Sequence, residues 1–162
     1  MRIENLHERI LPTGGPVAEA LIDGLAGADD RLWPHDRWPA MRFDGGLRVG
    51  SEGGHGPVHY RVIEHQPGRL VRFAFTAPEG LLGEHAYELA QDVHPVILRH
   101  TLHGRTTRRM RWQWPLLFRP LHDALIEDSF DRAIATVSQT PYQPRQWPPW
   151  TRTLRWLLKG LM

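Results

Sequence analysis

Cysteine is absent from these 162 residues, which excludes disulfide staples, thiolate metal ligands and thiol nucleophiles together. Serine is nearly absent too, at positions 51, 129 and 138 only. The glycine-rich "VGSEG" around Ser51 lacks the spacing of a strand–turn–helix nucleophile elbow. No Gly-Lys-Ser/Thr follows the glycines at 45, 46, 50, 53, 54 and 56, so they make no phosphate loop. They are expected to permit bulges or close approach at the mouth of a cleft. No apolar run nears the ~20 residues that span a bilayer. "MRIENLHERILPTGG" carries charge at Arg2, Glu4, Glu8 and Arg9, where a secretory leader would be apolar. A cytoplasmic protein is the expectation.

Two charge types are missing locally. Lysine supplies one of the twenty basic residues, so arginine runs such as "GRTTRRMR" at 104–111 reflect a chain-wide bias. They read as a solvated strand end, and no nucleic-acid partner is expected. Acid is lacking from residues 140–162, which hold Arg145, Arg152, Arg155 and Lys159. That tail is +4 and the rest of the chain −2, giving the formal +2. With 41% hydrophobic and 23% charged residues, the remainder is ordinary for one soluble domain with a real core.

The hydrophobic pattern sets the order of elements. Residues 2–11 alternate as a strand, with Ile3 opposite Glu4, Leu6 and Glu8. "GGPVAEALIDGLAG", 14–27, reads as a helix opened by Pro16, with Val17, Ala20, Leu21 and Leu25 at helical spacing. "DDRLWPHDRWP" reads as a short helical turn stopped by Pro34 and Pro39. The period then falls to two in five runs: "LRVG", "PVHYRVIEH", "RLVRFAFTA", "LLGEHAYELA" and "PVILRHTLHG". Short links, "SEGGHG", "QPG", "PEG" and "QDVHP", make these antiparallel neighbours. A long helix over 114–138 follows, then proline-dotted "TPYQPRQWPP" and an amphipathic "WTRTLRWLLKGLM".

In this order of elements, with "HGPVHYRVIEHQPGRLVRFAF", "GEHAYELA" and "RPLHDALIEDSFDRA", residues 1–138 resemble the START-like, helix-grip (SRPBCC) superfamily. The segments are similar to bacterial polyketide cyclase/dehydrase-like members. The resemblance implies an α+β helix-grip fold: a curved antiparallel sheet of six or seven strands wrapped around a long C-terminal helix, with short helices after the first strand. The expected division is a helix-grip domain over 1–139, a proline-rich linker over 140–149 and a basic amphipathic helix over 150–162.

Strand parity selects the residues that face such a helix. Val58, Tyr60 and Val62 share a side, as do Val71, Phe73 and Phe75, then His85, Tyr87 and Leu89, and finally Leu98, His100 and Leu102. On the helix, Leu117, Phe118, Leu121, Ala124 and Leu125 form one stripe, which Asp128 and Arg132 continue. Ile126, Phe130, Ala133 and Val137 form a second, so the helix should bend or rotate near 126. Asp123, Glu127 and Asp131 read as a solvated acidic face, whereas His122 and Asp128 intrude on the apolar stripe. A buried Asp128 requires a partner, with His85, His100, Arg132 or water as candidates. The expected ligand-binding set is Tyr60, Phe73, Phe75, His85, Tyr87, His100, His122, Leu125 and Asp128.

No metal or cofactor is expected. His55 and His59, read on one strand, would lie ~13 Å apart, and His100 and His103 on opposite strand faces. A His85/His100/His122 site with Asp128 has no close-spaced ligand pair behind it. Three functions remain in order of preference. The first is binding of a small hydrophobic or aromatic molecule. The second is a cyclase or dehydratase acting on a polyketide-like carbonyl compound, with His85 or His100 moving a proton and Tyr60 or Tyr87 polarising a carbonyl. The third is an interaction module that works through its tail. In the tail, Trp150, Leu154, Leu157, Leu158, Leu161 and Met162 share a helical face opposite Arg152, Arg155 and Lys159. Docking on protein, within the chain or across a homodimer, is favoured over a membrane surface.

Overall fold

The computed structural model describes residues 1–90 and 95–158. The "QDVH" link and the expected helical positions Lys159, Leu161 and Met162 lie outside them. Seven antiparallel strands form one sheet in the order β1-β7-β6-β5-β4-β3-β2. They are β1 (Arg2–Ile10), β2 (Arg42–Phe43), β3 (Glu52–His55), β4 (Val58–Gln66), β5 (Leu70–Ala77), β6 (Leu81–Ala90) and β7 (Ile97–Thr106). Helix α1 (Pro16–Asp23) follows β1; α2 (Met110–Gln113), a wide helical turn (Trp114–Phe118) and α3 (Arg119–Val137) run on continuously after β7. A last helix, α4 (Pro149–Leu157), closes the described chain. This is the helix-grip fold, and among the described residues no helix is long and apolar enough to cross a membrane.

β4 to β7 form a meander because their links are too short for crossovers. β1 closes on β7 in unbroken register, Arg2 opposite Arg105 to Ile10 opposite Ile97. The face opposite the helix carries charge ladders, Glu64–Arg72–Glu84 and Glu8–Arg99–Glu88. The inner face buries Tyr60, Val62, Val71, Phe73, Tyr87, Leu89 and Leu98 against Leu125, Ile126, Phe130 and Ala133 of α3.

Four expectations shift. "LRVG" is a turn, not a strand, and β3 occupies "EGGH", part of the stretch read from the sequence as a link. The reason is close approach: a Cβ on Gly53 would sit 1.9 Å from the Arg42 carbonyl oxygen. The buried face of α1 is Ala18, Leu21 and Ile22; Val17 and Ala20 are exposed. The helical distortion lies at Trp114–Phe118, not near 126. There Pro120 has no N–H for the Leu116 carbonyl, its α-helical acceptor. The indole N–H of Trp150 donates to that carbonyl instead, at 2.8 Å.

Helix α4 lies against α3 through Thr151 and Leu154, its buried residues. Trp150 and Leu157, expected on the apolar docking face, are exposed. The linker before α4 is not a free spacer: Trp147 packs on the main core.

Candidate functional site

Between the sheet and α3 lies a cavity of about 320 Å³, near the lower end of the ~300–1,000 Å³ range of ligand pockets. From the sheet it is walled by Tyr60, Phe75, Leu81, His85, Tyr87, His100 and Leu102. From the helix come Trp114, Leu117, Phe118, Leu121, His122, Leu125 and Ile126. Side chains that also reach solvent mark its rim: Pro57 on the β3–β4 hairpin, Leu117 and Phe118, and Leu158 after α4.

Seven of the nine expected residues line this space: Tyr60, Phe75, His85, Tyr87, His100, His122 and Leu125. Phe73 does not. It is fully buried behind the wall, stacked on Phe43 with centroids 5.3 Å apart. Asp128 does not either, although it is 1% exposed. Its carboxylate turns away from the histidines and accepts from Arg37 Nη1 (2.7 Å), Trp38 Nε1 (2.7 Å) and Trp147 Nε1 (2.9 Å). Arg37 stacks over the Trp147 ring at 4.1 Å and Arg155 over Trp38 at 4.6 Å. Asp128 is therefore the centre of a clasp joining α3 to the loop after α1 and to the tail. Burial raises its pKa, against the indole hydrogen bonds and the Arg37 charge.

Sequence reasoning missed Trp33, Trp38, His55 and Trp114, which also line the cavity. The signal was the aromatic density of "RLWPHDRWP", a segment with no period to reveal a face. It is fixed by Asp30, whose carboxylate accepts the backbone N–H groups of Ala26, Leu32 and Trp33. Trp38 N–H closes a single turn on the Pro34 carbonyl. His55 and His59 fall on opposite arms of the β3–β4 hairpin, not on one strand. His55 faces the cavity and His59 is exposed.

The polar groups of the wall form a chain of rings. Tyr60 meets His85 edge-on at 4.7 Å, and His85 Nδ1 lies 3.3 Å from His100 Nε2. The ring centres of His100 and His122 are 5.0 Å apart. Tyr60 Oη, His85 Nε2, His100 Nδ1 and His122 Nε2 are buried without a hydrogen-bond partner in the protein, while His122 Nδ1 lies 3.6 Å from Asp123 Oδ1. Tyr87 is different, since its hydroxyl donates to Ser129 Oγ (3.3 Å), which donates to the Leu32 carbonyl. Burial drives the pKa values of His85 and His100 far down, as does nearby His122. His55 falls to about 3 for the same reason. All three are neutral at physiological pH. Burial raises the Tyr60 pKa, so its phenol stays protonated.

Below His122 the chemistry changes. Asp123, Glu127 and Asp131, expected to be a solvated acidic face, are turned towards β1. Asn5 Nδ2 donates to Asp123 (2.9 Å), His7 bridges Glu127 (2.9 Å) and Asp123 (3.3 Å), and Arg9 pairs with Glu127 and Asp131. The expectation failed because β1 places Asn5, His7 and Arg9 on the same side as Ile3, opposite that helix face. His7, His122 and Asp123 bring donor atoms within 4.8 Å of one another. Both His7 nitrogens already face carboxylates, an arrangement that favours the protonated imidazole.

Burial would lower the His7 pKa, but hydrogen bonds and charge from Asp123 and Glu127 outweigh it, and the value is raised. Burial would raise Asp123, yet His122, His7 and Asn5 bring it well below the usual carboxylate range. The stabilisation from His7 is thus complete below its unfolded pKa of about 6.5 and lost as pH rises through the folded value. That from Asp123 is present above its unfolded pKa and lost as pH falls through the folded one. Thermal midpoints should therefore peak at about pH 6.5 and decline on both sides: below it unfolding lets the buried, neutral His55, His85 and His100 take up protons, and above it the His7 pair is lost. His7→Gln should remove part of the alkaline decline. An unchanged profile in that variant would show that the pair contributes nothing.

No protein-family model matches the chain, and no curated protein matches it. Solved structures do. CalU16 from Micromonospora echinospora is 14% identical, with 96% of this chain and 92% of that one aligned at a TM-score of 0.51. A protein from Thermobifida fusca is 12% identical over 90% and 98% of the two chains, with a TM-score of 0.58. Norcoclaurine synthase from Thalictrum flavum, in complex with dopamine and hydroxybenzaldehyde, is 13% identical over 86% and 87%, with a TM-score of 0.59. At these identities the likeness is one of fold.

Proposed function

We propose that this helix-grip chain is a cytoplasmic protein that binds a small, mainly apolar aromatic molecule in the cavity between sheet and helix. One observation carries the reading. An otherwise apolar wall holds the unpartnered polar atoms of Tyr60, His85, His100 and His122. Leaving a buried polar group unsatisfied costs about 1–3 kcal/mol, so such groups are expected where a ligand completes them. The ligand should present hydroxyl or carbonyl groups towards the sheet and an apolar body towards Leu121 and Leu125. The structure of norcoclaurine synthase with two small aromatic molecules is consistent with this use of the fold.

The cyclase or dehydratase reading is weaker. Its proton-moving group would be His85 or His100, and burial makes both poor bases near neutrality. Titration with an environment-sensitive naphthalene dye tests the binding reading. The dye should bind saturably and be displaced by phenolic aromatics. Leu121→Trp, which fills the cavity, should abolish binding without unfolding the chain. Tyr60→Phe should weaken phenolic competitors by roughly three- to tenfold while sparing the dye, one hydrogen bond being worth about 0.5–1.5 kcal/mol. Equal dye affinity in Leu121→Trp and the parent chain would refute the assignment.

A further inference from the structure

The tail docks on its own domain, yet it uses only a narrow stripe to do so. Trp150 and Leu157, seven apart on α4, stay exposed, and Trp156 beside them is 74% exposed. Across the Trp150–Leu116 hydrogen bond, Leu116 and Trp112 form a matching i, i+4 pair on the long helix. Trp112 is 72% exposed. Isolated exposed apolar residues are ordinary, whereas three exposed tryptophans and two exposed leucines on neighbouring helical segments, joined through the Trp150–Leu116 hydrogen bond, are not.

The charge around this patch is mainly basic, with Asp123 paired to Arg119 and Glu79 to Arg108. Residues 105–122 and 132–162 contain no aspartate or glutamate, and Trp150 and Thr151 of the second segment donate to the Leu116 and Pro120 carbonyls of the first. Arg109 and Arg111 precede Trp112 and Arg119 follows Leu116; all three are exposed, as is Arg152 on the other side of α4 from Trp150. Leu116 and Leu157 are also the chain neighbours of Leu117 and Leu158, which form the rim of the cavity.

We infer that this face, built from α2, the wide turn and α4, is a docking surface for an anionic lipid bilayer. Indole rings settle at the headgroup level, leucine reaches the acyl boundary, and arginine meets lipid phosphate. Exposed aliphatic side chains between the arginines argue against nucleic acid, which would engage aromatic and basic groups alone. Docked this way, the cavity rim faces the membrane, where an apolar ligand partitions. The inference concerns the surface and holds whatever occupies the cavity.

The test is co-sedimentation of the full chain with phosphatidylcholine vesicles, with and without phosphatidylglycerol. Binding is expected only with the anionic lipid and should weaken as salt rises. Trp112→Ser combined with Trp156→Ser should reduce it about tenfold, as should Arg109→Gln combined with Arg111→Gln. These positions are exposed, so circular dichroism and dye binding should remain at parental values. Leu121→Trp should bind vesicles normally, which separates surface docking from uptake of lipid into the cavity. Failure to sediment, indifference to both double variants, or loss of binding in Leu121→Trp would overturn the inference. So would arginine-dependent binding of a single-stranded oligonucleotide in place of vesicles.

Discussion

Asp128→Ala should destabilise the protein by about 3–5 kcal/mol, the cost of removing one partner from a buried ion pair. The carboxylate is 1% exposed and receives three donors, Arg37, Trp38 and Trp147. Its removal leaves a guanidinium half-desolvated and two indole N–H groups unpaired. Asp128→Asn should cost less, because the amide oxygen still accepts from an indole while the charge is lost. Urea unfolding monitored by circular dichroism gives the magnitude. A second reading follows from what the clasp holds. Trp147 and Arg155 belong to the segment leading into and forming α4, so trypsin should cut at Arg145 and Arg152 sooner in the variant. A cost below about 1 kcal/mol would mean that the carboxylate is dispensable, and the tail attachment would have to reside elsewhere.

Phe73→Ala and Phe75→Ala should separate in opposite ways, although the two rings share one strand face. Phe73 is fully buried and packed between Phe43 and His85. Its truncation should cost about 3–5 kcal/mol through lost transfer energy and a new void. Phe75 borders the cavity and is partly exposed. Its loss mainly enlarges a space that already exists, and should cost no more than about 2 kcal/mol. Ligand selectivity should follow the reverse order, with Phe75→Ala admitting bulkier aromatics and Phe73→Ala acting only through stability. If Phe73→Ala alters dye affinity at full stability while Phe75→Ala does not, the wall has been assigned to the wrong ring.

That contrast marks how far the sequence could be read. Period-two alternation placed Tyr60, Phe75, His85, Tyr87 and His100 on the inner face because a strand allows only two directions. It could not divide that face into packed core and cavity wall, since parity says nothing of depth. Phe73 fell on the core side for that reason. Asp128 shows the same gap on a helix: its stripe indicated burial, but its partners came from Arg37, Trp38 and Trp147, remote in sequence and in aperiodic segments. The β3 strand was hidden by its own chemistry. Two glycines are the signature of a turn, yet here they let β2 and β4 close in on either side. The acidic face of α3 looked solvated because a helix read alone cannot report what an edge strand brings against it.

Pro120 has an effect on the molecule beyond the helix it distorts. Along an uninterrupted helix every interior carbonyl is engaged, and a docking segment finds nothing to distinguish one turn from the next. Two prolines, Pro115 and Pro120, break that sameness, and Pro120 does so where the tail lies. At Leu116 it leaves an acceptor that the Trp150 indole meets at 2.8 Å. Sliding α4 by one turn would set the same indole against a carbonyl already bonded within the helix. The missing N–H therefore acts as an address, fixing where along α3 the tail comes to rest and hence which side chains, Leu158 among them, reach the rim of the cavity.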